Sequence, residues 1–374
     1  MKRILLFIFP QLISAQVQYN YPNIEWRTFE TKNFRIHYYA ETEMSARKGA
    51  YIAERIYAPI VRMYQYSPVD KTDIVFKDTD DISNGAAYFY DNKIIIWTSP
   101  LDFELRGSHR WLQNVITHEF AHIVSIQKAQ KFGKNIPGAY LQFIGYEKEK
   151  RPDVLYGYPN VLVSFPIPGT MVPPWLAEGA AQYMYPDADW DNWDSHRDMI
   201  LRDRIFNNNS LSWSDINSFG KSGIGNESVY NTGYAFTKYI ASRFGPDVIP
   251  DIFKYMSKPM SFSVSNAINN VVGIKGEKLY SDFINALNKR YKTLRPDKND
   301  TSNIRIIEDE GTANLHPVWN ERGNLLAYLS NKDNDYFSAT DLFVYDLKTN
   351  SSHKIARGVT SPPTWSSSKI FFSK

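Results

Sequence analysis

Two histidines stand four residues apart in "VITHEFAHIV", Val115–Val124, with a glutamate beside the first. Residues at i and i+4 of a helix share one face about a turn apart, so His118 and His122 can aim their imidazoles at one metal ion. Glu119 lies about 100° round the helix from His118, where its carboxylate can sit beside that ion and reach a bound water. The alternative is a pair of core histidines bonded to backbone. It is the weaker reading, because a chance H-E-x-x-H is rare in a chain with seven histidines.

The elements that must hold these residues follow from their neighbours. Ser108 is placed to cap a helix, and Trp111, Leu112, Val115, Ile116, Ile123 and Val124 give that helix apolar surface on both flanks, which keeps the histidines inside the protein. Catalytic zinc takes three protein ligands and keeps one position open. Ser125 and Lys128 occupy the places where a metzincin would have glycine and its third ligand, which excludes that pattern. The best third ligand is Glu178 in "PPWLAEGAAQYMY", Pro173–Tyr185. Proline near a first helical turn, then a glutamate followed by Gly179, Ala180 and Ala181, describes a second helix able to approach the first closely. The alternative for Glu178 is a solvated helix residue.

H-E-F-A-H followed by P-x-W-L-x-E-G-x-A-x-Y resembles the gluzincin zinc metallopeptidases of the peptidase MA superfamily, in particular envelope proteins that join such a domain to a Tol-Pal-type (TolB-like) β-propeller. "WRTFETKNFRIHYY", "GYAFTKYIASRFG" and "HPVWNERGNLLAYLSN" extend the resemblance over most of the chain. It implies an α+β fold, with a thermolysin-like gluzincin domain of N-terminal mixed sheet and C-terminal helical lobe followed by the first blades of a propeller. It further implies His118, His122 and Glu178 as ligands of Zn2+, Glu119 as general base, and a peptide or protein substrate. One departure is the spacing: 55 residues separate His122 from Glu178, more than in the best-known gluzincins. "AYLQFIGYEKEKRPDVLYGYPNVLVSFPIPG" must therefore loop out. Its aromatics either wall the cleft or contact a membrane or partner, or the segment packs as an ordinary insertion, which is the reading favoured here.

In such a site zinc brings the pKa of water toward about 7 and Glu119 takes the proton as a peptide carbonyl is attacked, then passes it to the leaving amine. Tyr230 and Tyr234, on the helix expected after the ligand helix, are the candidate oxyanion donors, with His196 a poorer third; packing is the default for either tyrosine in a chain with 25 of them. Gluzincins often pair an extended substrate with the strand before the zinc helix, a place held here by "NKIIIW", Asn92–Trp97. "NGAAYFYDNKIIIW" lacks the glutamate that holds a free amino terminus in related aminopeptidases, which favours an endopeptidase. "DADWDNWD" alternates carboxylates but lacks the glycine of a calcium loop and has Asp198 where a bidentate glutamate belongs, so a solvated loop feeding a helix cap is expected.

A chain of 374 residues is long enough for two or more units. "MKRILLFIFPQLISAQ", residues 1–16, reads as a secretory signal, and no other apolar run approaches the roughly 18 residues of a membrane span. The expected location is periplasmic, outer-membrane-associated or extracellular. Residues 17–295 are the expected peptidase domain, mixed in pattern from Trp26 to about Thr98 and mostly helical from Gly107 to about Leu294; 296–303 are the linker. In 304–374, Pro317 aligns with Pro363 and Trp319 with Trp365, a period of 46 residues that reads as about one and a half propeller blades. Such a propeller offers a surface for an envelope protein partner.

With 43 Lys+Arg against 40 Asp+Glu, the formal charge of +3 gives no footprint for nucleic acid. The absence of cysteine removes disulfides and thiolate chemistry. A second function class stays open: a non-catalytic envelope binding or scaffold protein acting through its propeller. Retention of both histidines, Glu119 and Glu178 favours the enzyme, because a domain that only binds has no need of a general base.

Overall fold

The computed structural model describes residues 21–374 except 22, 80–81, 101–109, 134–135, 146–160, 187, 189, 191–192, 194, 221–222, 295–303 and 336–338. The expected leader and linker lie outside the described residues, as does Ser108, and "DADWDNWD" is described only in part. No described helix is long and apolar enough to cross a membrane. The protein is mixed α+β and divides into two compact units between Asn288 and Lys289.

The first unit opens with β1 (Arg27–Glu30), β2 (Phe34–Tyr38), α1 (Glu43–Tyr64), β3 (Thr72–Lys77), β4 (Gly85–Tyr88) and β5 (Lys93–Trp97). The five strands form one sheet in the order β1-β2-β3-β5-β4, parallel between β2, β3 and β5 and antiparallel at both ends. Period-2 alternation sends Phe34, Ile36, Ile74, Phe76, Ile94 and Ile96 to one buried face. α1 and α2 (Trp111–Lys128) pack there. β5 is therefore an inner strand, and among the described residues the edge strand nearest α2 is β4. The expectation that Asn92–Trp97 pairs with substrate is corrected on this point: its edges are taken by β3 and β4.

After α2 come a two-stranded antiparallel hairpin, β6 (Gly138–Gly145) and β7 (Val161–Pro168), and then α3 (Pro174–Tyr183). The hairpin interrupts a region expected to be mostly helical. α4 (Ser195–Phe206), α5 (Trp213–Ile216), α6 (Gly223–Phe244), α7 (Val248–Met256), α8 (Val264–Val272) and α9 (Gly276–Lys292) complete the helical part. Gly245, at φ 92°, terminates α6, as glycine in the left-handed region does after a helix. The helix of Tyr230 and Tyr234 is α6, so two helices intervene between it and α3.

The second unit is a four-stranded meander, β8 (Asn314–Trp319), β9 (Leu325–Ser330), β10 (Asp341–Asp346) and β11 (Ser351–Ala356), followed by the hairpin β12 (Thr364–Ser366) and β13 (Lys369–Phe371). One sheet face buries Leu326, Tyr328, Phe343 and Tyr345; the other buries Ala327, Leu329 and Leu342. Pro317 sits in a bulge of β8, where a ladder donor is not required. Trp365, repeat mate of Trp319, donates its indole N–H to the Val318 carbonyl at 3.0 Å, tying the second copy of the repeat to the first. The described residues close no propeller.

Beneath this meander the Tyr328 hydroxyl donates to Glu308 Oε2 at 2.6 Å, and Lys332 Nζ donates to the same oxygen. Burial pushes the Glu308 carboxyl up, but Lys332 and Tyr328 outweigh it and hold its pKa below the ordinary value. A depressed folded pKa gives stability that is present above the unfolded value of about 4.3 and is lost as pH falls through the folded one. Glu308→Gln is expected to cost about 1–3 kcal/mol at neutral pH. Urea titrations should show that deficit shrinking as pH falls below the ordinary carboxyl value; a gap independent of pH would rule out the ionised pair as its source.

Candidate metal centre

α2 is fixed from its far side. Phe120, between the two histidines, lies edge-on to Phe34 with ring centroids 5.1 Å apart and stacks on Tyr57 of α1 at 5.5 Å. Driving Phe120 into that core turns His118 and His122 the other way, toward α3. The helix starts at Trp111 behind Arg110, which makes no side-chain cap. Instead, the Trp111 indole N–H donates to the Trp97 carbonyl at 2.9 Å and ties the first turn to β5.

α3 begins with Pro173 as N-cap and Pro174 at its first position, where the missing N–H is harmless. Its approach to α6 is backbone to backbone. A Cβ on Gly179 would lie 2.4 Å from the Gly233 carbonyl oxygen and 2.5 Å from Thr237 Oγ1, and one on Gly233 would lie 2.4 Å from the Trp175 carbonyl oxygen. The buried Trp175 ring packs on Phe236 at 4.9 Å across the same crossing. α3 is thus held between α2 and α6 with Glu178 on its α2 side.

His118 Nε2 and His122 Nε2 are 3.0 Å apart, and Glu178 Oε2 is 3.2 Å from each. For bonds of about 2.0–2.1 Å, the edge of a tetrahedral coordination shell is about 3.3 Å. The nitrogen, nitrogen and oxygen donors therefore already stand close to three corners of a tetrahedron sized for zinc. Among the described residues, these three bring together ligand atoms that could hold one metal ion, from positions 118, 122 and 178. All three are sheltered, His122 at 7% and Glu178 at 8% exposure.

The electrostatics agree with the donor set. Burial pushes the Glu178 carboxyl up, yet the imidazoles of His122 and His118 overcome it and hold it well below the usual carboxylate range. Burial disfavours an imidazolium at His122, while Glu178 and Glu119 outweigh that and raise its pKa. Glu119 behaves oppositely to Glu178: burial dominates and raises its pKa against the pull of the two imidazoles. Glu119 also touches the sheet edge, since a Cβ on Gly85 of β4 would fall 2.7 Å from Glu119 Oε1. The role of β4 was missed because "GAAY" carries no β-branched residue; its one readable signal was the run "KIIIW" next to it, apolar enough to be an inner strand and so to need a neighbour.

The tyrosines stand in different surroundings. Tyr234, 3% exposed, packs on Trp193 at 6.0 Å with Arg197 and Lys238 over its ring, while the half-buried Tyr230 meets Phe219 at 6.1 Å. The His196 side chain lies outside the described residues. Asp198 accepts from the Trp193 indole at 3.0 Å and from Arg202 at 3.1 Å, which fits a loop-and-helix anchor.

No protein-family profile matches this chain, and a comparison with curated proteins finds no match.

Proposed function

We propose that this chain is an exported zinc-dependent endopeptidase of gluzincin type, followed by the first blades of a TolB-like β-propeller that recruits an envelope partner or substrate. The observation that carries the reading is the convergence of His118, His122 and Glu178 on one point, with the buried Glu119 between them and an open sheet edge. A zinc ion held by the three would supply Lewis acidity, polarising a carbonyl and acidifying water.

The chain's own residues do the rest. Glu119 accepts a proton from water, holds it in a site where burial favours the neutral acid, and delivers it to the departing amine. Among the described residues no strand pairs with the outer edge of β4, and apart from the Ala87 N–H, which bonds the Glu119 carboxylate, its backbone groups could receive an extended peptide as a further strand. Tyr88 stands on that strand, with no carboxylate to anchor a free amino terminus, which suits cleavage within a chain. Tyr230 and Tyr234 on α6 remain the proposed oxyanion donors. A scaffold with no chemistry would gain nothing from burying Glu119, since an unneeded carboxyl in the core only costs stability.

Metal content by mass spectrometry tests the ligand set. About one zinc per wild-type chain, and clearly less in Glu178→Ala, is the expected result. A folded wild type that takes up no zinc when supplied with it would return "HEFAH" to the status of a helix with two histidines.

A further inference from the structure

The β6–β7 hairpin is the least protein-like surface of the first unit. Its sixteen strand residues, "GAYLQFIG" and "VLVSFPIP", include no charged side chain. Strand register places Leu141 opposite Phe165 and Phe143 opposite Val163 on one face. All four are exposed, at 52%, 52%, 57% and 44% respectively, and Phe143 meets Phe165 edge-on at 5.9 Å. The opposite face carries Tyr140 at 70% and Ile144 at 56% exposure. Gln142 and Ser164, paired with each other at 3.1 Å, lie between Tyr140 and Ile144 on that face. The described strands are therefore not packed as the ordinary insertion expected here, and residues 146–160 of that segment lie outside the described residues.

Proteins that leave a strand pair in water protect its edges with charge, and here there is none. One face is wholly apolar, while the other mixes Tyr140 and Ile144 with the polar Gln142 and Ser164, the division that a seat between acyl chains and headgroups calls for. The edge chemistry points the same way. Gly169 N–H donates to the Pro137 carbonyl at 2.7 Å, which fixes the hydrogen-bonded parity of the ladder and turns the nitrogens of Pro166 and Pro168 outward. The outer edge of β7 therefore lacks two donors that an added strand would need. In lipid those same prolines remove donors that would otherwise go unsatisfied.

We infer that the β6–β7 hairpin seats in the interfacial layer of a lipid bilayer, with Leu141, Phe143, Val163 and Phe165 as its inserted face. Eight-residue strands with a free β6 edge suit shallow insertion, in which headgroups and water reach the remaining edge groups, and not a span. The root is rigid. Lys131 N–H donates to the Gly169 carbonyl at 2.8 Å, the Tyr90 hydroxyl to the Pro137 carbonyl at 3.3 Å, and a Cβ on Gly169 would meet the Ile136 and Pro137 oxygens at 2.8 and 2.9 Å. Because Lys131 follows directly on the helix of His118 and His122, docking the hairpin holds the candidate metal centre at a set distance from the membrane.

The test is co-sedimentation of the full exported chain with phosphatidylcholine vesicles, wild type beside the double variant Phe143→Asp, Phe165→Asp. The wild type should pellet with vesicles at low and high salt alike, and the double variant should partition more weakly by about tenfold or more. Circular dichroism and zinc content should be unchanged, and Leu141→Asp should weaken binding in the same direction. Glu178→Ala should bind vesicles like the wild type, so failure of the peptidase reading leaves this result standing. A wild type that stays in the supernatant, or a double variant that still pellets, overturns the proposal. So does a dimer in vesicle-free sedimentation velocity that the double variant dissolves, because a second copy would then be what covers the hairpin.

Discussion

Glu119→Gln should lower hydrolysis of whichever peptide the wild type cleaves by about 10²–10⁴-fold while zinc stays bound. The two halves of that expectation rest on different atoms. Zinc is assigned to His118 Nε2, His122 Nε2 and Glu178 Oε2, none of which the substitution touches. Hydrolysis is assigned to a carboxyl whose pKa burial has raised, and an amide of the same shape is too weak a base to take a proton from water. The variant should also be at least as stable as the wild type, because removing an ionisable group that is only 7% exposed relieves a desolvation cost. Steady-state kinetics with metal analysis on the same preparation checks all three points. Loss of zinc along with activity would mean that Glu119 helps to hold the metal; an unchanged rate would leave a trace contaminant as the source of cleavage and move attention to the second unit.

How far the sequence reveals this arrangement depends on whether a feature is local. His118 and His122 are legible because helical period alone puts them on one face. Glu178 is legible because Pro174 starts a helix and Gly179 thins it where it must come close. The meander of the second unit is legible through its repeat and alternation. What could not be read is decided by partners distant in sequence. β4 is a strand because β5 pairs with it, although "GAAY" has little strand character of its own. β5 was misjudged as the substrate edge because proximity to α2 in sequence was taken for proximity in the sheet, when its apolar run already fitted an inner strand. The hairpin was hidden because "VLVSFPIP" has no alternation and two prolines. Both signs ordinarily speak against a strand in water, and they make sense for one that carries no charged side chain and whose proline nitrogens face outward.

Gly179→Val should be among the most damaging small substitutions in the first unit outside the proposed metal ligands. Its Cβ would stand 2.4 Å from the Gly233 carbonyl oxygen, a backbone atom that cannot swing aside, and the second β-branch adds volume against Thr237. Overpacking of this kind costs about 3 kcal/mol or more, which in a unit of this size lowers Tm by about 6–12 °C. Gly179→Ala should fall in the same direction by about 1–3 kcal/mol. Gly133→Ala, where an added Cβ meets nothing within 4 Å, should stay within about 0.5 kcal/mol of wild type. The consequence reaches the metal, because α3 lies between α6 and α2: relief of the clash at α6 displaces Glu178 Oε2 from its 3.2 Å stations on the two histidines. Zinc affinity should therefore fall in the fraction that remains folded, as a competition with a chromophoric chelator at low temperature would read. If Gly179→Val instead melts lower but binds zinc with wild-type affinity, the helix crossing supports the fold without placing the ligand, and the position of Glu178 must be set by the contacts of α3 with α2 alone.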